Sequence, residues 1–377
     1  MTVLAPPAVA HRSAGPVPSL PPVGPTWYPT VMGTAILATL TQVHAGSSTL
    51  GRALAAGWLV VAWSLLLLLT ALFAIRVGRD RRALTTTLHE PQHVAMWGTV
   101  AMGLLAVGSA TITVVPAVVP SRTGAAGWVD AALWTLGTGL GLVTAFGFAA
   151  LLVHREAGTP TAVWGLPIVP PMVSATTGSA LVPLIGSPAG RVWMSIATVA
   201  CFFAALSLGA VVFGVVYHSH WRHQPVPLTA SASTWIPLGI VGQSTAAAQA
   251  MAAQARGDLT PALREAVGQA ANAYGWVMLA VGVPLIGYAV AVTLRGFAGR
   301  MPFGPGWWAL TFPVGTLSLG AHLLGVGTGS SFVGALGTAA WLALVGTWTL
   351  CAVATVRVVS AHLTGRGGSG SAAASRR

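Results

Sequence analysis

The side chains able to do chemistry are few in this chain, and their placement argues against catalysis. Its 377 residues include only six acids: Asp80, Glu90, Asp130, Glu156, Asp258 and Glu265. Each is expected in a loop or near a helix end. An ionisable group at mid-membrane would mark a function by default, and none is expected there. That disfavours a carboxylate proton relay and a cation pathway built from acidic rings. No paired carboxylates, Ser/His/Asp set or metal-ligand cluster falls within an apolar segment, so no enzyme activity, cofactor or resident metal is expected. His218-Ser-His220-Trp-Arg-His223 has the look of a metal cluster but is read as a cytoplasmic loop. His44 and His322 are the titratable groups nearest a transmembrane path, and a packed, hydrogen-bonded histidine is the alternative reading of His322. Cys201 and Cys351 lie in apolar segments and read as small buried hydrophobes.

The elements that must hold these residues are membrane helices. The chain is 54% hydrophobic and 6% charged, against roughly a quarter charged in soluble domains. Ten apolar helices are predicted at about 27–45, 52–76, 91–119, 127–154, 162–186, 191–217, 232–256, 265–295, 304–327 and 330–360. The fold class is therefore all-α and polytopic. Residues 1–25 and 363–377 are expected to be disordered tails around a 26–362 transmembrane domain. The net charge of +12 is assigned to orientation, not to nucleic acid. Thirteen of the 18 basic residues, all Arg, fall on the side of the amino terminus; Arg52, Arg122, Arg191, Arg256 and Arg264 fall opposite. The positive-inside rule then places both termini in the cytoplasm. Abundant Ala, Gly and Val with no Lys is the composition of a high-GC bacterium, and the membrane expected is the bacterial inner membrane.

Odd and even helices differ in chemistry. Proline falls almost wholly in the odd ones, as Pro29, Pro171, Pro237 and Pro313, with small and hydroxyl residues beside it. Most even helices are bulkier, as in Leu65-Leu-Leu-Leu-Leu. Val31-Met-Gly, Ala101-Met-Gly, Pro171-Met-Val, Pro237-Leu-Gly and Pro313-Val-Gly recur about every 70 residues, a period that reads as an internal repeat. Five helical hairpins in a quasi-fivefold ring around a central pore would explain it, with odd helices inside and even helices against lipid. The competing explanation is that Gly and Pro serve close helix packing. The pore-lining candidates are Pro29, Gly33, Thr34, Gly103, Ser174, Thr176, Gly239, Ser244, Pro313, Gly315, Thr316 and His322. A pore without fixed negative charge suits small anions, with Thr34, Ser174, Thr176, Ser244 and Thr316 as hydroxyl donors.

Trp27-Tyr-Pro-Thr-Val-Met-Gly-Thr-Ala-Ile resembles the first-helix motif of the tellurite-resistance/dicarboxylate transporter family, also called the voltage-dependent anion channel family. Trp307-Trp-Ala-Leu-Thr-Phe-Pro-Val-Gly resembles its ninth-helix motif. Val169-Pro-Pro-Met-Val-Ser-Ala-Thr-Thr-Gly looks like actinobacterial members, and His89-Glu-Pro is similar to the family's His-Pro element. The resemblance covers about residues 25–360.

That resemblance implies a homotrimer in the lipid bilayer, each subunit with its own five-helix pore. It also implies a phenylalanine on the ninth helix that occludes the pore, which by the motif is Phe312. Substrates across the family include malate and other dicarboxylates, sulfite, tellurite and inorganic anions, and the motif does not choose among them. Ala35 stands where many relatives have Gly. The alternative to a passive pore is a proton-coupled transporter or exporter of sulfite or C4-dicarboxylates using His322 or His44.

Overall fold

The computed structural model describes residues 20–154, 158–222, 226–255 and 259–374. Among them all regular structure is helical. The helices are α1 (Pro29–Ala45), α2 (Thr49–Arg79), α3 (Arg82–His89), α4 (Pro91–Ala95), α5 (Trp97–Val118), α6 (Thr123–His154), α7 (Pro170–Leu181), α8 (Pro188–Arg222), α9 (Ile236–Ala255), α10 (Pro261–Ala298), α11 (Phe312–Thr328) and α12 (Ser331–Ala374).

Local chemistry sets several ends. The Ser48 hydroxyl accepts from the Gly51 N–H at 2.9 Å and caps α2, satisfying a donor that the helix itself cannot. Gly329, at φ 67°, ends α11 in the left-handed conformation, which costs glycine little. The chain then reverses within two residues into α12.

Among the described residues, eight helices are long and apolar enough to cross a membrane. Of the ten predicted spans, α1 and α9 fall outside this group. α1 is only 17 residues long, and α9 carries Gln243 and Gln249. Burial sorts the eight into two kinds. In the apolar stretches containing α5, α7 and α11, 56%, 89% and 61% of residues are buried; in those of α2, α6, α8, α10 and α12 the share is 11–39%. α1 resembles the first kind, since Thr30 through Thr41 are all buried. α9 does too, with Ile236 through Ala247 buried. The exposed side chains of the second kind are large and apolar, among them Leu67, Val143, Val211, Val283 and Leu342. Such a surface is stable only against lipid or another protein.

The buried helices pack in order: α1 on α5, α5 on α7, α7 on α9, α9 on α11, and α11 back on α1. Each is also packed on the outer helix that follows it in the chain. Hydrogen bonds join four outer helices to the next inner one. Trp63 Nε1 donates to Thr111 Oγ1 (α2 to α5, 3.0 Å), and Trp134 Nε1 to the Ser174 carbonyl (α6 to α7, 3.0 Å). Asn272 Nδ2 donates to the Gly327 carbonyl (α10 to α11, 3.2 Å), and Trp348 Nε1 to Thr34 Oγ1 (α12 to α1, 3.0 Å). Between α9 and α11 the backbones touch. A Cβ on Gly242 would overlap the main chain of Thr316 and Leu317, the close approach that small residues permit in membranes.

Several expectations change. Four of the five inner segments do not begin as α-helix. Short 3₁₀ segments, Pro25–Trp27, Ala162–Gly165, Leu228–Trp235 and Pro305–Leu310, precede α1, α7, α9 and α11, and α5 is set off from α4 at Met96. The predicted loop before the third span contains α3. His218 and His220 belong to α8, which runs on to Arg222, so they are helical and not in a loop; His223 lies outside the described residues. Asp130 is neither in a loop nor at a helix end. It lies about two turns inside α6, 1% exposed, and neither carboxylate oxygen has a hydrogen-bond partner among the described residues. Residues 1–19 of the amino-terminal tail, residues 375–377 of the carboxy-terminal one, Glu156 and Asp258 lie outside the described residues.

Candidate functional site

The starts of the five inner segments converge on one cavity of about 110 Å³. Its wall has a simple order. The first segment contributes Thr26, Pro29 and Met32; the α5 segment, Met96, Thr99 and Met102; the α7 segment, Val163, Leu166 and Val169. The α9 segment contributes Ser233, Ile236 and Gly239. The last contributes Gly306, Ala309 and Phe312, with Pro305, Trp308 and Pro313 beside them. Each set is spaced i, i+3, i+6, which is one face of a helix.

A tryptophan marks the same register in every segment: Trp27, Trp97, Trp164, Trp235 and Trp307. In four of the five, the cavity residues stand one before, two after and five after that tryptophan; in the α9 segment they are displaced by one. The tryptophans hold the segment entrances. Trp27 Nε1 donates to the Pro21 carbonyl (3.1 Å), Trp97 Nε1 to Thr87 Oγ1 (3.3 Å), Trp235 Nε1 to Thr293 Oγ1 (2.9 Å) and Trp307 Nε1 to the Pro302 carbonyl (3.1 Å). Two guanidiniums do the same from the ends of outer helices. Arg76 donates to the Val23 carbonyl at 2.8 Å and Arg295 to the Val226 carbonyl at 2.9 Å.

The wall is almost wholly apolar. Two of its hydroxyls are turned to backbone: Thr99 Oγ1 lies 2.9 Å from the Pro25 carbonyl and 2.7 Å from that of Met96, and Ser233 Oγ donates to Ala230 at 2.7 Å. Among the described residues, no side chain on the wall is ionisable. The remaining electrostatic feature is the backbone. Five helices present their amino-terminal ends to this space, and the amino-terminal end of a helix dipole is positive. The cavity therefore combines a weak preference for negative charge with no strong ligand. Phe312 stands at the first residue of α11, 5% exposed, with its ring in the wall.

Of the residues singled out from sequence, Pro29, Gly239, Phe312 and Pro313 share this cavity. The others sit between helices. Gly33 faces Thr311 and Trp308, Gly103 faces Tyr28 and Val31, and Gly315 faces Ile36. Thr34 donates to the Thr30 carbonyl at 2.7 Å while accepting from Trp348. Ser174 accepts from Thr138 at 2.8 Å. Thr176 Oγ1 lies 3.3 Å from both the Met172 and Gln243 carbonyls. Ser244 donates to Val241 at 3.3 Å and Thr316 to Pro313 at 2.7 Å. His322 lies beyond the cavity, its ring centroid 5.1 Å from that of His44. Met32, Met102, Val169 and Ile236 were not singled out; the tryptophan register would have found the first three.

Residues 22–356 match the model of the family described as SLAC1, voltage-dependent anion channel. Among curated proteins the chain is similar to the sulfite efflux pump SSU1 of Arthroderma otae, 23% identical with 88% of this chain and 89% of that protein covered. The SSU1 protein of Trichophyton rubrum is 24% identical, covering 71% and 72%. An uncharacterized transporter of Methanocaldococcus jannaschii is 22% identical, covering 80% and 83%.

Proposed function

Because this chain belongs to the voltage-dependent anion channel family, we propose that it carries small anions across a membrane through a pore on the axis of its five inner helices, with Phe312 as the side chain that occludes it. The observation that carries the reading is the cavity wall, to which each inner segment contributes one i, i+3, i+6 face and the last contributes Phe312. A quasi-fivefold ring of five hairpins accounts for that wall. In it α1 and α9 count as spans, giving ten, since both are buried among helices that cross. The ten spans form the 26–362 domain with a tail at each end, the carboxy-terminal one continuing α12 as helix to Ala374.

The substrate class follows from the wall and the relatives. An uncharged, apolar lining beneath helix amino termini suits a small oxyanion held loosely, and two relatives are named as sulfite efflux pumps. Sulfite is the first substrate to test, with malate, tellurite, nitrate and chloride beside it. The arginine bias supports cytoplasmic termini in a bacterial inner membrane, and the resemblance supports a homotrimer. No catalytic residue is assigned.

Proton-coupled export is the second reading. What favours it is the His44–His322 pair, since histidine is the side chain that titrates near neutral pH. Purified protein in liposomes, given this anion panel with and without a pH gradient, tests both readings. Flux of sulfite or another panel anion down its own gradient, unaffected by pH, is the expected result. Flux that requires the pH gradient supports the second reading, and no anion flux in correctly inserted protein contradicts both.

A further inference from the structure

At the far ends of α1 and α11 from the cavity, two imidazoles meet. The His44 and His322 centroids are 5.1 Å apart, and the ring planes are at 77°. His44 is stacked on Trp341 of α12 at 5.4 Å and 19°, which fixes its plane.

Hydrogen bonds fix its proton as well. His44 Nε2 lies 3.2 Å from Ser318 Oγ, and Ser318 donates its only proton to the Gly337 carbonyl at 2.7 Å. The serine oxygen must therefore accept from His44, which places the proton on Nε2 and leaves a lone pair on Nδ1. Thr338 Oγ1 stands 3.4 Å from that lone pair, but its nearer partner is the Gly334 carbonyl at 3.2 Å. A histidine held through one nitrogen by a polar partner, with the other nitrogen unprotonated, is the arrangement that metal ligands have.

The spacing agrees. With Zn–N of about 2.0–2.1 Å and tetrahedral angles, two ligating imidazoles have centroids about 5 Å apart. Both histidines are partly exposed, so water can reach them and supply the remaining ligands. We infer that His44 and His322 form a binding site for a divalent transition-metal ion such as Zn²⁺, which ties α1 to α11, with Ser318 as the positioning residue behind His44.

The test uses the full-length chain in detergent, stripped with EDTA and titrated with ZnCl₂ by calorimetry and by thermal unfolding. One zinc per chain and a raised Tm are expected. His44→Ala and His322→Ala should each weaken binding by about tenfold or more, and Ser318→Ala by roughly tenfold. His44→Gln and His322→Gln replace the alanine variants if those do not purify as a single species. No heat and no Tm shift at millimolar zinc would overturn the site. So would binding that survives both histidine variants and disappears in His218→Ala/His220→Ala. These readouts need no transport, so they stand or fall apart from the proposed conduction.

Discussion

The indole N–H of Trp348 donates to the hydroxyl of Thr34 at 3.0 Å across 314 residues of sequence, joining the last helix to the first. Thr34 is 0% exposed, and its own proton goes to the Thr30 carbonyl. The pair therefore does for α12 and α1 what Trp63–Thr111 does for α2 and α5.

Breaking that bond should loosen the joint measurably. Trp348→Phe and Thr34→Val each remove one partner, and a double-mutant cycle should give a coupling of about 0.6 kcal/mol, and at most about 2 kcal/mol. Reversible unfolding in mixed micelles measures it. Additive single effects would mean the bond is absent in the membrane protein.

Two glycines on α9 should respond in opposite ways. A Cβ on Gly239 meets nothing closer than Pro313 Cγ at 4.0 Å, whereas one on Gly242 overlaps the α11 backbone. Gly239→Leu should fold and fill the cavity, lowering anion flux about tenfold or more, because a narrowed apolar constriction dewets. Gly242→Leu should separate α9 from α11 and fail to purify as a monodisperse species. Size-exclusion profiles and liposome flux distinguish the two. Unaltered flux in Gly239→Leu would take the cavity off the conduction path.

Asp130 offers a stability test. Its carboxyl group is buried against Gly108 with no hydrogen-bond partner among the described residues. An uncompensated buried charge costs several kcal/mol, while an unpartnered amide of the same shape costs less. Asp130→Asn should therefore raise Tm, by an amount equivalent to about 1–3 kcal/mol. A lowered Tm would show that the carboxylate has a partner in the membrane.

Much of the architecture was legible in the sequence because lipid imposes a coarse rule: small-residue helices, most with proline in the first turn, recur about every 70 residues and bulky ones alternate with them. The wall of the cavity was less legible. Thr34, Ser174, Ser244 and Thr316 attracted notice as donors, yet serine and threonine within helices bond carbonyls three or four residues back, and here they do so. The tryptophan register would have marked the wall better, since in four of the five segments the cavity face stands at one offset from the tryptophan. The 3₁₀ entrances could not be read, because proline at a helix start is equally compatible with an α-helical first turn. Nor could the meeting of His44 with His322, which depends on α11 closing back onto α1. Asp130 looked like a residue of a helix end because the span it occupies begins earlier than its hydropathy suggested.

If Phe312 occludes the path between the inner helices, anion flux through Phe312→Ala in liposomes will reveal it. Substitution removes the ring from the cavity wall and leaves the α11 backbone free of new contacts. Flux should rise well above that of the unmodified protein, with selectivity among small anions weakened. Flux that stays the same or falls, in a variant that inserts and purifies like the parent, would contradict it.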